Sequence, residues 1–133
     1  MTTFVAATNS VHTSAALCDY LFDRVDSEDT VHAINSHLDE ESVTDEELRD
    51  GEDALNAIYS RLGAATTVET HQFVRGNVPA EDILSFTESV DADEIVIGVR
   101  KPTATSKVAI GSVTEQVLLH SSHPMAVIPR ELE

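Results

Sequence analysis

Apolar positions along the chain recur with two periods, and the two alternate. TTFVAATNS (residues 2–10) opens with an apolar run that stops at Asn9-Ser10 and reads as a buried strand. SAALCDYLFDRV (14–25) carries Ala15, Leu17, Leu21, Phe22 and Val25 near helical spacing, with Thr13 or Ser14 as its expected cap. DTVHAIN (29–35) is a second short strand. A long acidic stretch follows, in which Thr44 and Glu47 have capping-box spacing, and Leu48, Leu55, Ile58 and Leu62 define a helix ended by Gly63. TTVETHQFVRG (66–76) alternates like a strand with one wet face. NVPAEDILSFTESV (77–90) places Pro79 in a first helical turn, ahead of Ile83, Leu84 and Phe86. DEIVIG (93–98) is a short apolar strand closing on Gly98. SVTEQVLLHSS (112–122) is a last helix with Val113, Val117 and Leu118 inward, and HPMAVIP (123–129) a last strand stopped by Pro129.

The resulting order, β-α-β-α-β-α-β-α-β, predicts a single α/β domain. Strands that alternate with helices form a parallel sheet covered on both faces, joined by right-handed crossovers. Ligands in such sheets bind beyond the carboxyl ends of the strands, where the strand order reverses. Three segments meet that description: Thr8–Ser10, Asn35–His37 and Gly98–Gly111.

Composition narrows the function. A length of 133 residues suits one core, and 41% hydrophobic residues is enough to fold it despite a formal charge of −16. Acid excess with almost no lysine suits a protein working in high salt, where screening shortens self-repulsion to a few Å. It argues against nucleic acid as a partner, since phosphate contacts need surface Lys and Arg. No apolar run approaches a membrane span and no secretory signal is evident, so a cytoplasmic protein is expected. Cys18 is the one cysteine and falls among apolar positions, which places it in the core. The six histidines show no H-x-x-x-H or H-E-x-x-H spacing, so no metal site is assigned. The acidic stretch lacks a glycine-punctuated calcium loop and reads as a solvated face.

One segment breaks the acidic pattern. Both lysines, Lys101 and Lys107, lie beside Arg100 in GVRKPTATSKVAIGSVTEQV (98–117), and no acidic residue occurs from Ile95 to Thr114. Gly111-Ser112 directly precedes a helix, whose N-terminus presents unpaired N–H groups and partial positive charge to an anion. A glycine there lets a ligand approach the backbone closely. Together these residues point to a phosphate-bearing ligand. The spacing matches neither G-x-x-x-x-G-K-[ST] nor G-x-G-x-x-G.

Gly98, followed after twelve residues by Gly111-Ser112, resembles the signature of the universal stress protein family: Gly, two residues, Gly, nine residues, then Gly with Ser or Thr. FVAATNS, RGNVPAEDIL, DADEIVIG and GSVTEQVLLHSSHPMAVIP are similar to other parts of that family, most specifically from Asp91 onward. The resemblance implies a three-layer Rossmann-like sandwich of the adenine nucleotide alpha hydrolase type, with a five-stranded parallel sheet in the order 3-2-1-4-5. It also implies an adenine nucleotide, ATP first, with Mg2+ as the accompanying ion. By position, Gly98, Arg100, Lys101, Lys107, Gly111, Ser112, Val113 and Thr114 would face phosphates and ribose, with Thr8 and Ala33 near ribose and adenine. Lys101 stands where the signature has its second glycine, and Thr8 where nucleotide-binding members carry an aspartate. The family's last strand pairs with its own copy, so a homodimer through residues 124–130 is expected. The alternative is a stress-response dimer that binds no nucleotide and acts through protein partners. An enzyme, with slow ATP hydrolysis or self-phosphorylation on Ser112 or Thr114, has no placed metal or nucleophile in the sequence to support it.

Overall fold

The computed structural model describes residues 1–38, 41–100 and 111–130. Within them the elements are β1 (Thr3–Ala7), α1 (Val11–Phe22), β2 (Thr30–His37), α2 (Asp45–Leu62), β3 (Thr67–Val74), α3 (Pro79–Val90), β4 (Glu94–Arg100), α4 (Ser112–His120) and β5 (Met125–Arg130). The sheet has the order β3-β2-β1-β4-β5 and every pairing is parallel, as expected.

Strand alternation sorts the core into two layers. Phe4, Ala6, Val31, Ala33 and Val96 pack with Leu17, Cys18 and Leu21 of α1 and Leu55, Ile58 and Leu62 of α2. Ala7, Ile95 and Ile97 turn the other way, onto Ala80 and Ile83 of α3 and Val117 of α4. Both faces of β1 are therefore covered, and its residues from Phe4 to Ala7 are buried. Burial pushes the Cys18 thiol up to about 11, so it stays protonated in the core.

Local chemistry sets the boundaries. The Thr44 hydroxyl accepts the Glu47 N–H at 3.0 Å while Glu47 accepts the Thr44 N–H at 3.1 Å, completing the expected capping box and starting α2 at Asp45. Pro79 occupies the first turn of α3. The cap of α1 differs from expectation. It is Ser10, whose hydroxyl accepts the Thr13 N–H at 3.1 Å, so the helix begins at Val11 and Thr13 and Ser14 lie inside it. The helix therefore ends at Phe22, which is exposed, as is Leu118 on α4. Strands β2 and β4 each run two residues past their expected ends, so Asn35–His37 and Gly98 belong to the sheet.

The amino ends of three strands are pinned by the buried Asp29. Its carboxylate accepts the Thr2 N–H at 2.7 Å and the Asp26 N–H at 2.9 Å, and its carbonyl accepts the Thr66 hydroxyl at 2.7 Å. The Asp26 and Thr2 N–H groups hold the Asp29 carboxyl below its ordinary value. A depressed folded-state pKa gives stability that is complete above the unfolded value and is lost as pH falls through the folded one. The stability difference between wild type and Asp29→Asn, from denaturant unfolding, should thus be constant at neutral pH and shrink below about 3.8.

Candidate functional site

A cleft of about 580 Å³ opens at the carboxyl ends of β1, β2 and β4, where the strand order reverses. Its floor and walls come from Ala7, Thr8 and Asn9 after β1, Ile34–His37 of β2, Ile97–Val99 of β4 and Gly111–Thr114 at the start of α4. Glu47 and Asp50 of α2 and Pro79 and Ile83 of α3 form its rim, and Arg130 of β5 reaches it from the far side. The size falls in the range of about 300–1,000 Å³ typical of small-molecule sites.

The α4 end of the cleft is suited to an anion. Gly111 caps the helix and offers no side chain, and among the described residues no side-chain cap is present. The first intrahelical bond runs from the Glu115 N–H to the Gly111 carbonyl at 3.0 Å, so the amides of Ser112, Val113 and Thr114 precede the helical ladder. Their partial positive charge faces the cleft beside Arg130. Thr114 fixes the helix to the sheet, donating its hydroxyl to the Gly98 carbonyl at 3.2 Å. A methyl group at Gly98 would meet the Thr13 side chain at 3.1 Å, whereas one at Gly111 would meet none of the described residues within 4 Å. The fold requires closeness at Gly98; it makes no such demand at Gly111.

The β2 end is polar and organised by buried amides. Asn35 donates to the Thr8 carbonyl at 3.0 Å and accepts from Gln72 at 3.0 Å, while Gln72 also donates to the Leu48 carbonyl of α2 at 3.0 Å. Ser36 donates to the buried Asp82 carboxylate at 2.6 Å, which also accepts from Arg75 at 3.0 Å and Asn77 at 3.2 Å. Three donors satisfy a carboxylate that would otherwise be costly to bury. His37 lines the cleft, and its Nε2 is buried with no hydrogen-bond partner among the described residues.

Of the residues expected here, Thr8, Gly98, Gly111, Ser112, Val113 and Thr114 line one cleft. Ala33 does not: it is fully buried on the α1–α2 side of the sheet, one residue out of phase with Ile34, which does line it. Thr8 is present but its hydroxyl turns inward, 2.8 Å from the Ser14 hydroxyl and 3.1 Å from the Ser10 carbonyl. The Arg100 side chain, Lys101 and Lys107 lie outside the described residues. Sequence reasoning missed Asn35 and Arg130 as individual site residues. Asn35 at the end of an apolar strand was the available signal, since a buried amide there needs partners.

These features define a doubly wound α/β domain with a small-molecule cleft at its switch point and an uncapped helix N-terminus facing it. The chain belongs to the universal stress protein family, whose profile it matches over residues 5–129. It is 30% identical over 81 residues to the universal stress protein MJ0531 of Methanocaldococcus jannaschii, an alignment covering 61% of this chain and 47% of that one. The chain thus spans about half the length of that curated relative. Its fold is similar to that of a universal stress protein from Archaeoglobus fulgidus, at 27% identity and TM-score 0.80, covering 96% of this chain and 98% of the other. A second A. fulgidus structure, in complex with dAMP, matches at 24% identity and TM-score 0.72 over the same shares of both chains. Among the described residues no helix is long and apolar enough to cross a membrane.

The amide cluster makes a prediction about Gly51, on the face of α2 above Asn35. Alanine normally stabilises a helix by about 1 kcal/mol relative to glycine. Here its Cβ would intrude on the buried Asn35 amide and come within 2.7 Å of the Gln72 side-chain nitrogen. Overpacking of this kind costs about 1–3 kcal/mol. Gly51→Ala should therefore lower the urea midpoint rather than raise it.

Proposed function

We propose that the protein is a cytoplasmic stress-response regulator that binds an adenine nucleotide, ATP in the first instance, in the cleft between β1, β2, β4 and α4. The carrying observation is the N-terminus of α4, which faces the cleft and, among the described residues, has no side-chain cap and has open space above Gly111. In this reading the phosphates rest on the amides of Ser112–Thr114, with Arg130, Arg100, Lys101 and Lys107 supplying cationic charge and Mg2+ accompanying the triphosphate. The base lies toward the end of β2, where His37 Nε2 is available for a hydrogen bond. The dAMP complex of the A. fulgidus relative supports a nucleotide of this class. The charge of −16 fits operation in concentrated salt, as in a halophilic organism, where self-repulsion is screened.

We read the assembly as a homodimer through β5. That strand is a sheet edge, and Val127 on it is 36% exposed. Leu118 and Leu119 of α4 are 47% and 65% exposed. An apolar edge strand of this kind is blunted by pairing, and a two-fold contact between copies achieves it. The same surface serves the second reading, a dimer that signals to protein partners without nucleotide.

Two measurements test these readings. Titration calorimetry with Mg2+ should give affinity in the order ATP over ADP over AMP, weakening with added salt. Gly111→Ala should weaken ATP by about 1–3 kcal/mol, the cost of a methyl group in a packed contact, with no loss of thermal stability. Absence of heat with ATP across the salt range, or an unaffected Gly111→Ala variant, rejects the nucleotide reading. For the dimer, light scattering at molar salt should find two chains in the wild type and one in Val127→Lys; a monomeric wild type rejects it.

A further inference from the structure

The face of the sheet beneath α3 carries a cluster that the cleft does not use. Residues facing that side alternate along β3, so Glu69, His71 and Phe73 share it. The parallel register sets His32 of β2 directly beside Glu69, with His71 two pairs further on, beside Ile34 and on the same face. One donor atom from each of His32, Glu69 and His71 lies within 4.8 Å of those of the other two. His32 Nδ1 and His71 Nε2 are 3.2 Å apart. From this geometry we propose that His32, Glu69 and His71 bind a divalent cation of the zinc type, which fastens the edge strand β3 to β2.

The donor set and its spacing select the ion. Two imidazoles and one carboxylate favour zinc and its neighbours over magnesium or calcium, which take oxygen ligands. Tetrahedral zinc with bonds of about 2.0–2.1 Å sets its donors about 3.3–3.4 Å apart. The two ring nitrogens, 3.2 Å apart, need only a small outward shift to reach that separation. Glu69 is exposed, so rotation of its side chain would close the remaining distance, and water would supply the fourth ligand. Without metal the pair shares one N–H···N hydrogen bond. Coordination moves the donor's proton to the other nitrogen of the same ring, so two neutral imidazoles bind the ion with no net proton release. Burial pushes both rings below the ordinary imidazole value, which keeps them neutral, while the Glu69 charge pulls them the other way.

The ligands are preorganised by what lies behind them. Phe86 of α3 packs edge-on to His32 at 5.2 Å between centroids and against His71 at 4.6 Å. Phe73 stacks on His71 at 6.0 Å. Two rings held by aromatic packing on hydrogen-bonded strands lose little freedom when an ion arrives. None of the three ligands lines the cleft, so the ion site stands independently of nucleotide binding.

The test is a titration of the metal-free full chain with Zn2+, and with Co2+ as a spectroscopic probe, in excess Mg2+ to occupy surface carboxylates. The expected result is one Zn2+ per chain, a visible Co2+ spectrum of the four-coordinate type, and a raised unfolding temperature reversed by chelator. His71→Ala and Glu69→Gln should each weaken Zn2+ by about tenfold or more, while His120→Ala leaves it unchanged. In the wild-type protein, the ring resonances of His32 and His71 should shift at the first equivalent, ahead of those of His12 and His120. No saturable binding, undiminished affinity in His71→Ala or Glu69→Gln, or first shifts at other histidines overturns the proposal and leaves a hydrogen-bonded histidine pair.

Discussion

The buried side-chain amide of Asn35 is the contact on which the working edge of this domain depends. With Gln72 it joins four elements: its nitrogen holds the Thr8 carbonyl at the end of β1, its oxygen receives Gln72 from β3, and Gln72 reaches the Leu48 carbonyl of α2. A parallel sheet leaves polar backbone groups at its carboxyl ends, and a groove there must keep them satisfied without filling itself. The amide does so at little cost in volume. The missing side chain of Gly51 makes this possible, because any Cβ would occupy the space of the Asn35 amide. The same edge is closed on its other flank by Asp82, which gathers Ser36, Arg75 and Asn77. Both sets of bonds draw on side chains that are part of the fold, so these polar groups of the cleft floor have partners before any ligand enters.

The opposite flank of the cleft is left incomplete by comparison. Among the described residues α4 starts at a glycine with no side-chain cap, as α3 starts at Val78 without one, while α1 and α2 are capped by Ser10 and Thr44. A helix start that faces a pocket and lacks an internal partner is where an anionic ligand contributes most, since it neutralises a partial charge the protein leaves exposed. Charge along the chain follows the same division. Glu47 and Asp50 stand on the α2 rim, whereas Arg130 and the α4 amides occupy the other side. A ligand with a neutral end and an anionic end fits that polarity in one orientation only.

Position in the sheet separates the two edge strands by role. Strand β5 exposes Val127, and helix α4 exposes Leu118 and Leu119. Strand β3 is wetter and carries Glu69 and His71 toward β2, so its contribution to the fold rests on polar and aromatic contacts rather than on aliphatic burial. Among the described residues neither edge strand has a second strand partner, and their different chemistry suits different contacts.

The sequence by itself determined the fold class, because the switch between periods of two and 3.6 is written in the apolar residues and needs no long-range information. It also determined the α2 capping box and the glycine start of α4, which are local hydrogen-bonding arrangements. Tertiary structure decided what depends on phase and register. Ala33 lies one position from the cleft-lining Ile34, and in a strand that single step turns a side chain to the opposite face. The Thr8 hydroxyl is claimed by Ser14 and the Ser10 carbonyl, which α1 brings to it by starting at Val11. His32 meets Glu69 and His71 because β2 and β3 pair in parallel with one particular alignment. Thirty-six or more residues of intervening chain leave no local trace of that alignment; burial of the whole sheet against its helices selects it.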